Sequence, residues 1–318
     1  MGSLLNLIQN ENMKIYRRMR SWILVIIMVG IVILTGTLMK THQAPIPANW
    51  KSSLTISDQS LKNAVTSPNM PARVKSTLEL TLKKNEYAIA HNIAPSATTA
   101  WGFATTIEQR AIGVLISVFV AIVAGDIVAG EFSTGTIKLL LTRPQSRGRI
   151  LLSKYIATLL FSLFLIAVTM VASLVVGGIL FGFGGVDQPY LYQAASGAIQ
   201  QVNMVAYLFI NYGYNSITMI MIATIAFMIS TIFRSSAVAI AISILSLFIG
   251  NTLVFVLSSY SWDRYILFAN TDLSQYQFGT PVLSGMTLGF SITMLFLYFV
   301  VMNALSWYLF RKRDVSLT

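Results

Sequence analysis

The stretch GEFSTGTIKLLLTRP at residues 130–144 decides how this chain is read. It is a short polar and basic segment that continues to Arg147, Arg149 and Lys154, and it lies between two long apolar runs. Of the 318 residues, 55% are hydrophobic and only 10% are charged. Because soluble domains carry about a quarter charged residues, the composition indicates an integral membrane protein.

The apolar runs predict an all-α membrane protein with six transmembrane helices. The first run follows a basic segment at residues 14–20, as in a signal peptide. However, it is long for a signal peptide and no A-x-A-like cleavage site follows it, so we expect a retained helix. Each run approaches the roughly 20 residues that a helix needs to cross a bilayer. The runs are residues 22–39, 107–124, 151–181, 205–233, 237–257 and 282–310.

The distribution of Lys and Arg predicts the orientation of these crossings. Basic residues cluster at 14–20, 138–154, Arg234 and 311–313, and six crossings place all four groups on one side. The positive-inside rule then puts both termini in the cytosol. The expected organisation begins with an interfacial amphipathic helix at 1–20 and a first transmembrane helix at 21–40. An extracytoplasmic helical insertion follows at 41–104, with helices over 57–65 and 72–91. Five further transmembrane helices occupy 105–318, with a cytosolic coupling region at 126–150.

Several kinds of chemistry are excluded or disfavoured by the sequence. The chain has no Cys, which excludes disulfides and thiolate metal sites, and no H-E-x-x-H motif accompanies its two histidines. It has no G-x-x-x-x-G-K-[ST] stretch, so any ATP chemistry has to come from another polypeptide. We therefore expect no catalytic, cofactor-binding or metal-binding residues, and no nucleic-acid partner, because the net charge of +11 sits in the flanks of apolar helices.

Polar side chains inside the apolar runs are candidates for a substrate path. Uncharged residues of this kind include Thr158, Ser162, Asn215 and Asn251. A hydrogen bond between packed helices accounts equally well for each of these residues. No clear buried Lys, Arg, Asp or Glu is expected within the runs, and this argues against a proton- or sodium-coupled carrier.

A simple explanation accounts for the basic residues of the polar segment but not for its acidic ones. A positively charged cytosolic loop accounts for its basic residues without any partner. It does not account for the acids Asp126 and Glu131. Ser133 and Thr134 are expected to cap a helix over residues 136–141.

The polar segment resembles a known family signature. The stretch DIVAGEFSTGTIKLLLTRP at 126–144, with SR at 146–147 and ILLSKY at 150–155, is similar to the signature of type-2 ATP-binding-cassette (ABC) transporter permeases. The start NENMKIYRR at 10–18 resembles the amphipathic start of the same family. The stretches KKNEY at 83–87 and NIAP at 92–95 look like an insertion found in a Gram-positive subset.

The resemblance implies a permease subunit of an ABC exporter in the bacterial plasma membrane, moving an antimicrobial peptide or another amphiphile. It implies two copies of a cytosolic ATPase that binds ATP and Mg, and a second permease copy or related permease. An alternative is a membrane module for peptide sensing or immunity that binds without pumping. The residues that the resemblance places at the ATPase contact are Gly130, Glu131, Thr134, Gly135, Thr136, Lys138 and Arg143.

Overall fold

The computed structural model describes residues 4–43, 47–67, 72–95, 98–137, 145–194, 196–257, 260, 262–279, 281, 283 and 285–312. Within these ranges the protein is mostly helical. The helices are α1 (Leu4–Arg17), α2 (Met19–Thr41), α3 (Trp50–Val65), α4 (Ala72–Ala90), α5 (Ala100–Ile107), a π-helix (Glu108–Ile116), α6 (Ser117–Asp126), α7 (Ala129–Ser133), α8 (Arg147–Phe181), α9 (Met204–Ile232), α10 (Ser236–Leu257), a 3₁₀ turn (Asp263–Tyr265), α11 (Leu267–Asn270), α12 (Gln275–Phe278) and α13 (Leu288–Lys312).

Five of these helices are long and apolar enough to cross a membrane, namely α2, α8, α9, α10 and α13. All five are apolar around most of their circumference, as expected for helices that face lipid or other helices on every side. The expected crossing at 107–124 does not reach this length as one apolar helix. It is divided into α5, the π-helix and α6, and its apolar part is the short helix Val114–Asp126. Length and composition therefore support five crossings, and the sixth stays a prediction.

Helices α8 and α9 organise the packing. Helix α8 contacts α1, α2, α5 and α9, while α6 lies against α9 and α10. The main core between them includes the fully buried side chains of Phe161, Leu165, Leu208, Met219 and Phe227. Residues 177 and 178 are glycines that might have interrupted the third crossing, but α8 continues through both to Phe181. Close contacts explain why α8 keeps the first of them, as described below.

A small helical unit precedes the second crossing region. Helices α3 and α4 pack on each other, and Asn85 Nδ2 on α4 donates to the buried Asp58 Oδ1 on α3 at 2.6 Å. Two helices therefore lie where the sequence predicts them, although α3 begins seven residues earlier, at Trp50 rather than 57.

A β-hairpin departs from the expected all-α architecture. Strands β1 (Pro189–Gln193) and β2 (Ile199–Asn203) pair antiparallel with Pro189 opposite Asn203. This segment was expected to be a loop between two crossings. Tyr190, Tyr192 and Val202 give it the β-branched and aromatic content that favours strands, and α4 packs against both strands.

The contact between α5 and α8 generates a prediction about Gly177. A Cβ at this position would lie 2.9 Å from Phe103 Cδ1 and 3.0 Å from Ala100 Cα, so an added methyl group has to push the helices apart. We expect Gly177→Ala to lower the free energy of unfolding by about 1–3 kcal/mol, as overpacking in a core does. Thermal unfolding of the purified protein in detergent measures this.

Gly30 on α2 provides the matched control, because a Cβ there would meet nothing within 4 Å. Gly30→Ala should leave stability unchanged or raise it by up to about 1 kcal/mol through helix propensity. Equal effects of the two substitutions would show that the close α5–α8 contact does not constrain Gly177.

Candidate functional site

Four charged residues form a buried cluster where α1, α7 and α8 meet. Lys154 is fully buried, and its Nζ lies 2.8 Å from Glu11 Oε2 and 3.1 Å from Glu131 Oε1. Lys14 Nζ lies 2.8 Å from Glu11 Oε1 and 3.0 Å from Glu131 Oε1. Two ammonium groups thus alternate with two carboxylates, and the cluster is neutral overall. We call Glu11, Lys14, Glu131 and Lys154 the ion cluster.

A second charged contact adjoins the ion cluster at the end of α6. The carboxylate of Asp126 accepts hydrogen bonds from Arg18, Arg20 and Ser236. It is almost completely buried, and it ties the junction of α1 and α2 to the start of α10. Together with the ion cluster, this explains why acids occur in an otherwise basic segment: both acids neutralise buried or half-buried cations.

The short helix α7 is fixed at its base by the neighbouring helix α9. Ser230 Oγ accepts hydrogen bonds from the backbone N–H of Val128 at 3.1 Å and of Ala129 at 3.0 Å. These are N–H groups at the start of a helix, which have no partner within the helix itself. Helix α7 is therefore held by α9 at its start and by the ion cluster through Glu131.

The electrostatics of the ion cluster favour its charged form. Burial alone would raise the pKa of the Glu131 carboxyl, but the charge of Lys154 and hydrogen bonds from Thr136 and Lys14 lower it to about 2. Burial likewise opposes the charge of Lys14, yet its contacts with Glu11 and Glu131 leave the pKa of its ammonium raised. Opposite charges therefore favour the charged forms of Glu131 and Lys14.

An exposed turn follows α7. The Oγ of Ser133 and the Oγ1 of Thr134 donate to the carbonyl of Gly130, at 3.0 and 2.8 Å, and they close the end of α7, because serine and threonine hydroxyls also bond to carbonyls one turn back. The helix that they are expected to cap, over 136–141, lies largely outside the described residues, so this capping stays a prediction. We call residues 133–136, all of which are exposed, the tip.

The tip rests directly on the ion cluster. Thr136 Oγ1 donates to the carboxylate of Glu131, and Gly135 has a positive φ of 72°, a conformation that favours glycine. Of the residues predicted at an ATPase contact, Thr134, Gly135 and Thr136 are thus surface-exposed, whereas Glu131 is buried in the ion cluster. Lys138 and Arg143 lie outside the described residues.

Gly130 has a structural role of its own. A Cβ there would lie 2.8 Å from Asp126 Oδ1, and this carboxylate is already held by two arginines and a serine. The absence of a side chain lets α7 approach the end of α6 closely. Gly130 is buried, so the structure places it under the tip rather than on it.

A polar cavity of about 530 Å³ lies at the other end of the same helices. Asn215 and Asn251, two of the predicted path residues, line it. Thr158 and Ser162 do not line this cavity; they are buried and donate to the carbonyls of Lys154 and Leu159, as in ordinary helix packing. The structure thus brings together two of the four predicted path residues and separates them from the other two.

The expectation of no buried charge within the crossings is wrong. Glu108, at the start of the π-helix, is only 2% exposed and lines the cavity. It accepts hydrogen bonds from the Nδ2 groups of Asn211 and Asn215. Lys154 is a second buried charge, within α8. The sequence argument against an ion-coupled carrier therefore no longer holds, although the described residues contain no group of three or more His, Asp or Glu side chains suited to a metal ion.

The cavity and the charged contacts of Asp126 lie towards opposite ends of α6, α9 and α10. Ser117 and Val118 at the start of α6 line the cavity, while Asp126 at its end joins the charged contacts. In α9 the cavity residues lie between Tyr207 and Ile222, and Ser230 lies in the last turn. Three helices thus connect the tip region to the cavity.

Sequence reasoning missed the ion cluster because its members are far apart in the chain. Glu11 and Lys154 are separated by 143 positions, and no local pattern pairs them. One signal was available: Glu11 lies on the same face of α1 as Ile15, at a spacing of four residues, and both are buried. A lone acid on the apolar face of an amphipathic helix indicates a buried cation on the neighbouring element.

Removal of the central lysine is expected to destabilise the protein strongly. Lys154→Met leaves two buried carboxylates with only Lys14 as a partner, and breaking a buried ion pair costs on the order of 3 kcal/mol. Thermal unfolding in detergent should show a large decrease, which Glu11→Gln in the same chain partly reverses. Lys83→Met, at an exposed position of α4, is the control. A Lys154→Met protein as stable as this control would contradict the role of the cluster.

The lowered pKa of Glu131 predicts a pH dependence of stability. Its folded pKa of about 2 lies below the ordinary value of 4.5. The stabilisation is therefore complete above about pH 4.5 and is lost as the pH falls towards about 2. We expect the unfolding temperatures of the unmodified protein and of Glu131→Gln to differ at pH 6 and to converge on acidification. A difference that stays constant down to pH 3 would contradict this. Glu79→Gln, at an exposed position, should show no such trend.

Comparisons with known proteins correct the family suggested by the sequence signature. The chain is 38% identical to the "Uncharacterized protein YhcI" of Bacillus subtilis, over 98% of this chain and 100% of that protein. It is 32% identical to the "Uncharacterized membrane protein YdbK" of the same organism, over 64% of this chain and 79% of that protein.

The matching family model covers residues 74–316 and carries the description "Protein of unknown function (DUF2705)". Neither this family nor the two relatives supports the predicted membership of the type-2 ABC permease family, which is therefore wrong. The signature was a short stretch, and the residues that carry it here have structural reasons of their own. With several apolar helices and a relative named as a membrane protein, the chain is a multi-pass membrane protein and belongs to the DUF2705 family.

Proposed function

We propose that this chain is the membrane-spanning permease subunit of an ATP-driven exporter in the bacterial plasma membrane. Its solute is an antimicrobial peptide or another amphiphile. ATP and Mg are bound by a separate cytosolic ATPase, present in two copies, and a second permease copy or a related permease completes the complex. The chain itself has no phosphate-binding loop of the G-x-x-x-x-G-K-[ST] type, so the ATPase is a partner.

One observation carries this proposal: an exposed tip stands on a buried ion cluster that joins three helices. A partner that binds Thr134 or Thr136 would push on Glu131, because Thr136 is hydrogen-bonded to its carboxylate. Glu131 in turn contacts Lys154 of α8 and Lys14 of α1. Packed interiors transmit displacement because they are dense. The arrangement is therefore suited to passing motion from a cytosolic partner into the membrane.

The membrane topology in this proposal has six crossings. The sixth is the continuous helical path from α5 through the π-helix to α6. It falls short as an apolar helix because Glu108, Gln109 and Arg110 interrupt it, and the first two line the cavity. Polar groups at membrane depth are tolerated where they line a cavity. With six crossings, the basic flanks lie on one side, and both termini are cytosolic.

The polar cavity supplies a place for the solute. Its volume of about 530 Å³ is within the range of ligand sites, which span roughly 300–1,000 Å³. It contains Asn215 and Asn251 together with apolar residues such as Leu247 and Phe248. A mixed polar and apolar wall suits an amphiphile better than a small ion. In the proposed orientation it lies on the side of the membrane away from the ATPase.

A second candidate function is peptide sensing or immunity without pumping. The α3–α4 unit packs on the β-hairpin, and Lys84 Nζ lies 5.5 Å from the ring centre of Tyr190. Tyr190 stacks on Tyr207, with 3.8 Å between ring centres, and Tyr207 lines the cavity. The outer unit is thus in contact with the cavity wall, which favours a sensing role. Protection of cells by a complex whose ATPase is inactivated would support this alternative.

The test of the proposed function is co-expression with the candidate ATPase encoded by the neighbouring genes. We expect the two proteins to co-purify, and inverted vesicles containing them to accumulate a fluorescent amphiphile when ATP is added. Thr134→Arg places a large charged side chain on the tip and should abolish both results. Thr66→Arg, at an exposed position after α3, is the matched control and should abolish neither.

Two outcomes would contradict the proposal. One is accumulation that needs an ion gradient and no ATPase, which would point to an ion-coupled carrier. The other is co-purification and ATP-dependent accumulation that Thr134→Arg leaves unchanged, which would remove the tip as the docking element.

A further inference from the structure

The cavity at the outer end of α6, α9 and α10 has an unusual charge balance. Two carboxylates, Glu108 and Asp272, line it, and none of its described lining residues is Lys or Arg. This contrasts with the chain as a whole, which has a net charge of +11. An acidic interior in a basic protein excludes anions from the cavity and attracts cations.

Glu108 has polar partners but no cationic partner among the described residues. Its side chain accepts hydrogen bonds from two neutral amides, those of Asn211 and Asn215, and it is 2% exposed. Three of the other buried acids of the chain differ from it. Glu11, Glu131 and Asp126 each contact a Lys or Arg within the protein. A buried carboxylate without a cation is costly, and a positively charged ligand would remove that cost.

Asn211 supplies an independent sign that a hydrogen-bond donor is missing. It lines the cavity and is 5% exposed, and its Nδ2 is engaged by Glu108. Its Oδ1 is buried and has no hydrogen-bond partner in the described part of the chain. Buried polar atoms are almost always paired, so an orphan acceptor beside a cavity points to an N–H or O–H group from outside the chain.

The remaining wall is apolar and aromatic. Phe248 and Phe268 line the cavity together with Leu247, Ile222 and the ring of Tyr207. Aromatic faces attract cations, and the apolar side chains provide a surface for a hydrocarbon chain. The cavity therefore combines a carboxylate and a buried hydrogen-bond acceptor with an apolar wall. This combination is complementary to an ammonium group attached to an apolar tail.

We propose that this cavity binds the ammonium group of an amphiphilic amine, with its N–H groups donating to Glu108 and to Asn211 Oδ1 and its apolar part against Phe248 and Phe268. The inference rests on the proposed function insofar as this amine is the class of solute that the exporter moves. Binding itself needs no ATPase and is tested without one.

The probe is n-octylammonium, titrated into the full chain in lipid nanodiscs and followed by calorimetry, with empty nanodiscs subtracted. The neutral n-octanol, which has the same chain length, is the matched probe and should bind at least about tenfold more weakly, since hydrogen bonds to a charged group contribute about 1.5–3 kcal/mol. Glu108→Gln should weaken octylammonium binding by a similar factor. Glu79→Gln, the same change at an exposed position of α4, should have no effect.

Octylammonium binding that is unchanged in Glu108→Gln, or octanol that binds as tightly as octylammonium, would overturn the inference. If Glu108→Gln does not yield a monodisperse protein, Asp272→Asn decides, because Asp272 lines the cavity, is exposed, and keeps with Asn the Oδ1 that accepts hydrogen bonds from Ser274. It should weaken binding about two- to fivefold, since it removes one of the two charges that attract the cation, and unchanged binding would then overturn the inference.

Co-purification with the ATPase, measured on the same proteins, separates this result from the proposed function. A complex that forms without amine binding refutes the inference alone, whereas amine binding without a complex refutes the proposed function alone.

Discussion

The burial of Lys154 is the constraint on which the cytosolic end of this protein depends. An ammonium group removed from water needs opposite charges around it, and the two that it finds come from distant parts of the chain. Glu11 brings α1 onto α8, and Glu131 brings α7 there. Once α7 is fixed, the exposed tip that follows it has a defined position. Without the lysine, Lys14 would still join α1 and α7, but the ion pairs that hold both helices on α8 would be lost.

Helices α6, α9 and α10 extend from the charged contacts around Asp126 and α7 to the cavity, and the proposed transport function depends on this feature. Helix α6 is short, and the preceding segment is a π-helix that carries Glu108. Wide π-turns often occur at functional sites, because they displace side chains from the regular helical positions. In the proposed function, a displacement at Asp126 would reach Ser117 along one rigid helix. The close contact between Gly125 and the backbone of Ile240 would carry α10 with it.

The sequence predicted the parts of the fold that depend on local composition. Long apolar runs predicted α2, α8, α9, α10 and α13, because a helix that faces lipid needs little else. It failed where distant residues decide the structure. Nothing near Glu11 in the sequence shows that Lys154 lies beside it, because 143 positions separate the two residues. Similarly, Glu108 looked like the polar edge of a crossing, since no local pattern shows that Asn211 and Asn215 enclose it.

The error over the family has a physical explanation that also narrows the search for a docking site. Within the signature, Gly130 is required by the approach of Asp126, Glu131 by Lys154, and Gly135 by its positive φ. These residues would be needed in this protein even if nothing docked on it, so their presence says nothing about a partner. Only exposed side chains that have no such structural role can indicate a docking partner. Among the tip residues predicted at the ATPase contact, Thr134 best meets this condition, because its described side-chain bonds are local: a donation to Gly130 and a contact with Thr136. A docking role therefore has to be decided at the tip and not at the buried acid beneath it.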